Sequence, residues 1–327
     1  MAATKRTGGA GGTTAAKSGK ATKKAQKGRR AKATTTSGTA SWPGPTVTSS
    51  VQAAADGARA EVAARRAGGT ERILNCLPSP DQADDWGIAS AAASGMVAAR
   101  APLPTSVDLR TDWWRIGDQG RTGSCVGWAT ADSVLRWHLV QSGRVATNEK
   151  LSVRFVWMAA KETDEFSTRP TTFIEPEGTS LKAALDVARK FGVVRDRDLP
   201  FARPKLFGGD AKAFYLLASQ LKIAAYINLG RDLKDWCRWL ATNGPILTRL
   251  TCDDTWMNAK SNKGALDAYD WASASGGHAV ALVGYTQDHF IVRNSWGVSS
   301  WGDKGFAYAS YPYAADAFTE AYGVSVV

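Results

Sequence analysis

Residues 118–141 read DQGRTGSCVGWATADSVLRWHLVQ, a glycine-punctuated loop that runs into a helical pattern. From Cys125 onward Val126, Ala129, Ser133, Val134, Trp137 and Val140 recur mainly at steps of three and four residues, which is one face of a helix. Ser124 stands at the N-cap position, so Cys125 falls in the first turn. A neutral thiol is a poor nucleophile, and a helix N-terminus or a neighbouring imidazole favours the thiolate. Cys125 has the first of these by position.

The chain contains three histidines from which a partner base can come. His138 lies 13 residues further along the same helix, roughly 20 Å away at ~1.5 Å per residue, so its ring cannot reach the sulfur; a surface or rim position is expected for it. His278 opens the run HAVALVGYT, which turns at Gln287 and Asp288 and returns as HFIVRNSW, a β-hairpin by alternation and by its polar turn. His289 then falls beside the turn, whereas Asn294 pairs back toward His278. A neutral amide there holds the imidazole by a ring nitrogen without burying a charge. Gln119, six residues before Cys125, can set its side-chain amide beside the Cys125 backbone N–H, and the two together would bind an oxyanion. The competing reading of Cys125 as a small buried residue at a helix start requires His278, Asn294 and Gln119 to be coincidence.

Around this constellation the first half of the domain reads as helical, with helices at 152–161 and at 180–191, the latter closed by Gly192. The second half reads as mostly antiparallel sheet: strands at 223–229 and 246–251, the hairpin, and GFAYAS at 305–310, with one helix at 233–242. The expected class is α+β in two lobes, about 113–215 and 216–327, with the cleft between them. PLPTSVDLR (102–110) is an extended lead-in in which Asp108 is a structural hydrogen-bond acceptor.

Ten basic and no acidic residues fall in positions 1–40; subtracting them from the formal +11 leaves +1 for the rest of the chain. Residues 1–69 therefore read as a disordered basic arm and linker, with a weakly held helix at 51–67. Such an arm either binds nucleic acid or another polyanion by charge or serves as a solubilising extension without a ligand. Residues 70–101 read as either a strap over the domain or a propeptide. No secretory signal and no run of ~20 apolar residues is recognisable, so a cytoplasmic protein without membrane contact is expected. The four cysteines, at 76, 125, 237 and 252, form no C-x-x-C pair, which points to free thiols and away from a structural zinc site. Cys237 and Cys252 read as small buried residues, and most of the 13 tryptophans as packing.

DQGRTGSCVGWA (118–129), GGHAVALVGY (276–285) and FIVRNSWGVSSWGDKGFAY (290–308) resemble, in order and flanking residues, the papain-like cysteine peptidases, over roughly 102–327. The resemblance implies a papain-like two-lobe fold and peptide-bond hydrolysis of protein or peptide substrates without metal or organic cofactor. It assigns catalysis to Cys125, His278, Asn294 and Gln119, with Trp296 shielding the His–Asn contact and Trp301 flanking the site. Gly178 and Thr179 stand where the family has paired glycines along the substrate backbone. Val126 replaces the tryptophan usual after the nucleophile, and Thr122 replaces a cysteine that forms a disulfide in secreted members. The same residues would also serve an acyltransferase or transglutaminase-like enzyme, or a catalytically silent peptide-binding protein.

Overall fold

A computed structural model describes residues 72–97, 102–164, 176–202 and 207–326, all within the unit Val47–Val327. The basic arm and the 51–67 helix lie outside the described residues. Cys125 begins a helical rod, 125–141, made of α-helix Cys125–Gly127, π-helix Trp128–Leu135 and α-helix Arg136–Gln141. The sequence predicts one regular amphipathic helix. In the π-helical stretch the hydrogen bonds run i→i+5, and burial spreads around the whole circumference, with every residue from Ala129 to Leu135 inside. The Ser124 hydroxyl does not cap the rod; it pairs at 2.6 Å with Thr122 Oγ1, while the Ser124 carbonyl accepts from Trp128 N–H at 3.0 Å.

Helices Val153–Thr163 and Leu181–Lys190 pack on the rod, each started by a serine hydroxyl that accepts the backbone N–H three positions on: Ser152 from Phe155 and Ser180 from Ala183. Gly192 ends the second at φ +94°, where a Cβ would collide with the Ala218 carbonyl. A further helix, Ala211–Ser219, was not anticipated from the sequence. These elements share one hydrophobic core.

The other lobe is an eight-stranded sheet: β1 (Val107–Asp108), β2 (Ile223–Asn228), β3 (Ile246–Thr251), β4 (Ala265–Leu266), β5 (Gly277–Tyr285), β6 (His289–Arg293), β7 (Phe306–Ser310) and β8 (Phe318–Val326). Its order is β2-β8-β3-β5-β6-β7-β4 with β1 added on β5, antiparallel except for β4 on β7. Every residue of β5 is buried. Ala279, Ala281 and Val283 face the helical core while Val280 and Leu282 face the second core, so one strand is the partition between the lobes. Helix Tyr311–Ala317 returns the chain into β8, which inserts between β2 and β3; neither was read from the sequence. No helix among the described residues is long and apolar enough to cross a membrane.

Under the cleft the guanidinium of Arg293 ties the lobes together. Arg293, at the end of β6 and 1% exposed, donates to Asp132 Oδ2 and to the Arg115 carbonyl, each at 2.8 Å, and to the Ser133 hydroxyl, with Trp114 stacked 4.8 Å away. Asp132 also faces Arg136 at 3.4 Å. A buried charge left without its partner costs about 3–5 kcal/mol, so the π-helical segment and β6 hold their positions together.

His138 departs from expectation. It is buried, edge-on to Trp137 at 5.2 Å, and lies beneath Gly244, whose φ of +118° and missing Cβ let the loop close over both rings. Burial lowers its pKa to about 4. The unfolded chain therefore takes up a proton near the ordinary histidine value that the folded protein refuses until about pH 4. Stability is then complete above about pH 6.5 and should fall by on the order of 3 kcal/mol as pH drops toward 4. Urea denaturation at pH 7.5 and 4.5 checks this, and His138→Gln should shrink the difference between the two.

Candidate active site

Cys125, His278, Asn294 and Gln119 come together at the junction of the lobes, each at most 1% exposed. Asn294 Oδ1 accepts from the Ser295 N–H at 2.7 Å, which identifies it as the oxygen, and it lies 2.8 Å from His278 Nε2. Since an amide oxygen only accepts, Nε2 carries the ring proton in the neutral imidazole and Nδ1 is left for the sulfur. Nδ1 is buried with no oxygen or nitrogen partner among the described residues. The thiol of Cys125 is held well below its ordinary pKa, first by a hydrogen bond from the Cys76 thiol and then by the His278 ring and its charge, against the opposing effect of burial.

Gln119 is fixed by its surroundings. Its backbone N–H donates to the Ser295 carbonyl at 2.9 Å, its Oε1 accepts from Ser295 Oγ at 2.9 Å, and its Nε2 donates to the Thr122 carbonyl at 3.0 Å. One amide N–H remains. Gly120, at φ +62°, turns the loop toward Cys125. The Trp296 ring lies against His278 with centroids 4.8 Å apart. Trp301 is 1% exposed and packs on Trp256 at 4.4 Å, donating to its carbonyl. It therefore supports the floor of the site rather than lining a cleft, and Trp256, 5.7 Å from His278, is the second aromatic beside the imidazole.

Residues 72–79, the first part of the stretch 72–97 here called the strap, run as an extended segment alongside these side chains. Cys76 N–H donates to the Gly277 carbonyl at 2.9 Å and Leu77 N–H to the Thr179 carbonyl at 3.1 Å, with Leu77 paired in parallel to Ser180. Gly178 is where Asn75 presses closest: a Cβ there would overlap the Asn75 carbonyl. Asn75 Nδ2 binds the Pro176 carbonyl, and its Oδ1 lies 3.9 Å from Cys125 Sγ. At one end Arg72 pairs with Asp118 at 2.8 Å, donates to Gly120 O and Trp296 O, and stacks on the Trp296 ring. At the other, Ser79 N–H donates to Glu320 at 2.9 Å, and Lys182 holds Asp85 at 2.8 Å as well as the Pro80 and Asp81 carbonyls.

A family model described as papain family cysteine protease matches residues 103–317. The chain belongs to the papain family of cysteine proteases. Cathepsin B-like CP3 of Giardia intestinalis is 32% identical over 90 residues, 26% of this chain and 29% of that protein. Macrodontain-1 of Ananas macrodontes is 25% identical over 209 residues, 62% of this chain and 87% of that one. The chain spans less than a third of the length of the first curated relatives that it matches. Among solved structures the fold is similar to xylellain, a cysteine protease from Xylella fastidiosa, at a TM-score of 0.62 and 22% identity, covering 79% of this chain and 97% of that one. It is also similar to digestive procathepsin L 3 of Tenebrio molitor larval midgut, at 0.53 and 17%, covering 84% and 91%. These likenesses agree with the two-lobe architecture described above.

Within that papain-family frame, sequence reasoning overlooked Asn75, Cys76 and Arg249, which donates from Nε to the Cys76 carbonyl at 2.9 Å. The available signal was the apolar island Ile73, Leu74 and Leu77 in an otherwise polar stretch, the composition of a segment that docks.

Arg72 holds the strap at the rim with charge-assisted bonds, partly screened because Asp118 is about half exposed. Arg72→Ala should weaken docking by about 1–2 kcal/mol and raise the rate at which a thiol-directed epoxide labels Cys125 by about 5–30-fold. The labelling time course, read by intact mass, measures it.

Proposed function

We propose that the chain is a cysteine peptidase that hydrolyses peptide bonds in protein or peptide substrates, and that residues 72–97 hold it latent. The observation that carries this reading is Cys125 at the first turn of the rod, beside a histidine whose far nitrogen is held by Asn294 at 2.8 Å. Cys125 Sγ attacks the substrate carbonyl carbon. The oxyanion is taken by the Cys125 backbone N–H and the remaining amide N–H of Gln119. His278 gives its proton from Nδ1 to the departing amine, then draws a proton from the water that cleaves the thioester. Asn294 orients the ring, and Trp296 keeps water from that contact. Gly178 and Thr179 form the wall along which a substrate backbone runs once the strap leaves.

Latency rests on where the strap's carbonyls point. Leu74 O lies against Gly276, Asn75 O against Gly178, and Cys76 O accepts from Arg249. Among the described residues none of the three accepts from Cys125 or Gln119, so the strap occupies the cleft without offering a bond for attack.

In the Arg72→Ala background, turnover of a fluorogenic peptide should fall at least about 10³-fold for Cys125→Ala and about 10²–10³-fold for Gln119→Ala. Unaltered turnover in the Cys125 variant overturns the peptidase reading. Transfer of the acyl group to an added amine in preference to water would assign the same site to an acyltransferase.

The ten basic residues of positions 1–40 support a polyanion contact for the arm, and four cysteines outside any disulfide support a reducing compartment such as the cytoplasm. Deleting residues 1–40 should abolish retention on a heparin column and leave peptide turnover unchanged; equal retention removes the polyanion contact.

A further inference from the structure

Cys76 is the one strap side chain whose sulfur meets the thiol of Cys125. Both residues are buried, at 2% and 0% exposure, and both belong to the same core. Asn75, the residue before Cys76, sets its Oδ1 3.9 Å from Cys125 Sγ, and the two thiols lie close enough for each to alter the other's proton affinity. The backbone of Cys76 is gripped on both sides, its N–H by the Gly277 carbonyl and its carbonyl by Arg249, each at 2.9 Å. Apart from Cys125, the sulfur has a weak contact with the Leu77 carbonyl at 3.8 Å. Such an arrangement fixes where the side chain starts and leaves its sulfur facing Cys125. Peptidase latency alone does not call for a thiol at this place, because the strap is already held by Arg72, Asn75 and Ser79.

We propose that Cys76 and Cys125 form an oxidative modification site, at which a peroxide closes a disulfide between the strap and the site thiol. The Cys125 thiolate attacks one peroxide oxygen; the O–O bond breaks, a sulfenic acid forms on Cys125, and the departing hydroxide takes a proton to become water. The Cys76 sulfur then attacks the Cys125 sulfur, the S–O bond breaks, and the leaving hydroxide takes the Cys76 proton as a second water. Two thiols and one peroxide thus become one disulfide and two waters, with the sulfurs oxidised and the peroxide reduced. The two thiols are suited to these separate parts. Cys125 is held low and supplies the thiolate, whereas burial, followed by the bond to Cys125, keeps the Cys76 pKa high, so that it retains its proton until the second step. A small peroxide is the fitting oxidant, since the buried pair excludes larger disulfides while the strap is docked.

The cross-link would turn a reversible plug into a covalent one and stop Cys125 short of the irreversible sulfinic acid. Reduction would restore the docked but unlinked strap. This site goes beyond the peptidase reading and is tested without any assay of turnover.

The full chain is treated with hydrogen peroxide, its remaining thiols are alkylated in denaturant, and it is digested with trypsin without reduction. The expected product joins tryptic peptides 73–100 and 122–136 through Cys76 and Cys125 and disappears on treatment with dithiothreitol, while Cys237 and Cys252 are alkylated. In Cys76→Ser the linked peptide should be lost and most of Cys125 should advance to sulfinic or sulfonic acid, which dithiothreitol does not recover. Sulfinic Cys125 beside alkylated Cys76 in the natural chain overturns the proposal. So does a link between separate molecules on a non-reducing gel, or alkylation of both thiols after peroxide. Should the linked peptide form in a chain that cleaves nothing, the modification site stands and the peptidase reading falls.

Discussion

A guanidinium with almost no access to water holds the two lobes in register. Arg293 precedes Asn294 in the chain, and its partners Asp132 and Ser133 belong to the rod that starts at Cys125. Displacing β6 relative to the rod would leave Asp132 or Arg293 charged and unpaired in the core, a cost comparable to a large share of a domain's net stability. The spacing between thiol and imidazole is thereby set by an ion pair one layer below the surface. The π-helical turn contributes by placing two successive polar residues, Asp132 and Ser133, within reach of that one arginine.

Both sides of β5 are apolar and both are covered, so the hairpin that carries His278 cannot shift without opening a core on one face or the other. Small residues serve this: Ala279 and Ala281 let the rod approach closely. Around the imidazole, Trp256 and Trp296 remove water from the His278 and Asn294 contact, which strengthens the single hydrogen bond that orients the ring.

Much of this was legible in the sequence because the informative patterns were local. The rod, the hairpin and the strands at 246–251 and 305–310 announced themselves by periodicity, and three motifs in one order named the family. The rest was hidden for physical reasons. A π-helix has no composition of its own, and the partner of its buried Asp132 stands 161 positions away. His138 is expected at the surface or rim once its distance from Cys125 removes it from the site, and nothing local says that Gly244 will fold over it. Trp301 shares its motif with Trp296, yet nothing in the motif says that its ring is buried against Trp256. The strap's path through the cleft depends on backbone hydrogen bonds to Gly277 and Thr179, and backbone groups are identical in every sequence.

Under the proposed latency, a plug that is part of the same chain as its socket behaves unlike a separate inhibitor. Its local concentration is set by the connecting residues and stays the same however far the solution is diluted. One copy is made with each site, so synthesis can never leave a site uncovered. Control over such a molecule cannot be exercised through abundance; it has to act on the connecting chain or on the few bonds at each end of the plug, of which Arg72 with Asp118 and Lys182 with Asp85 are the most accessible.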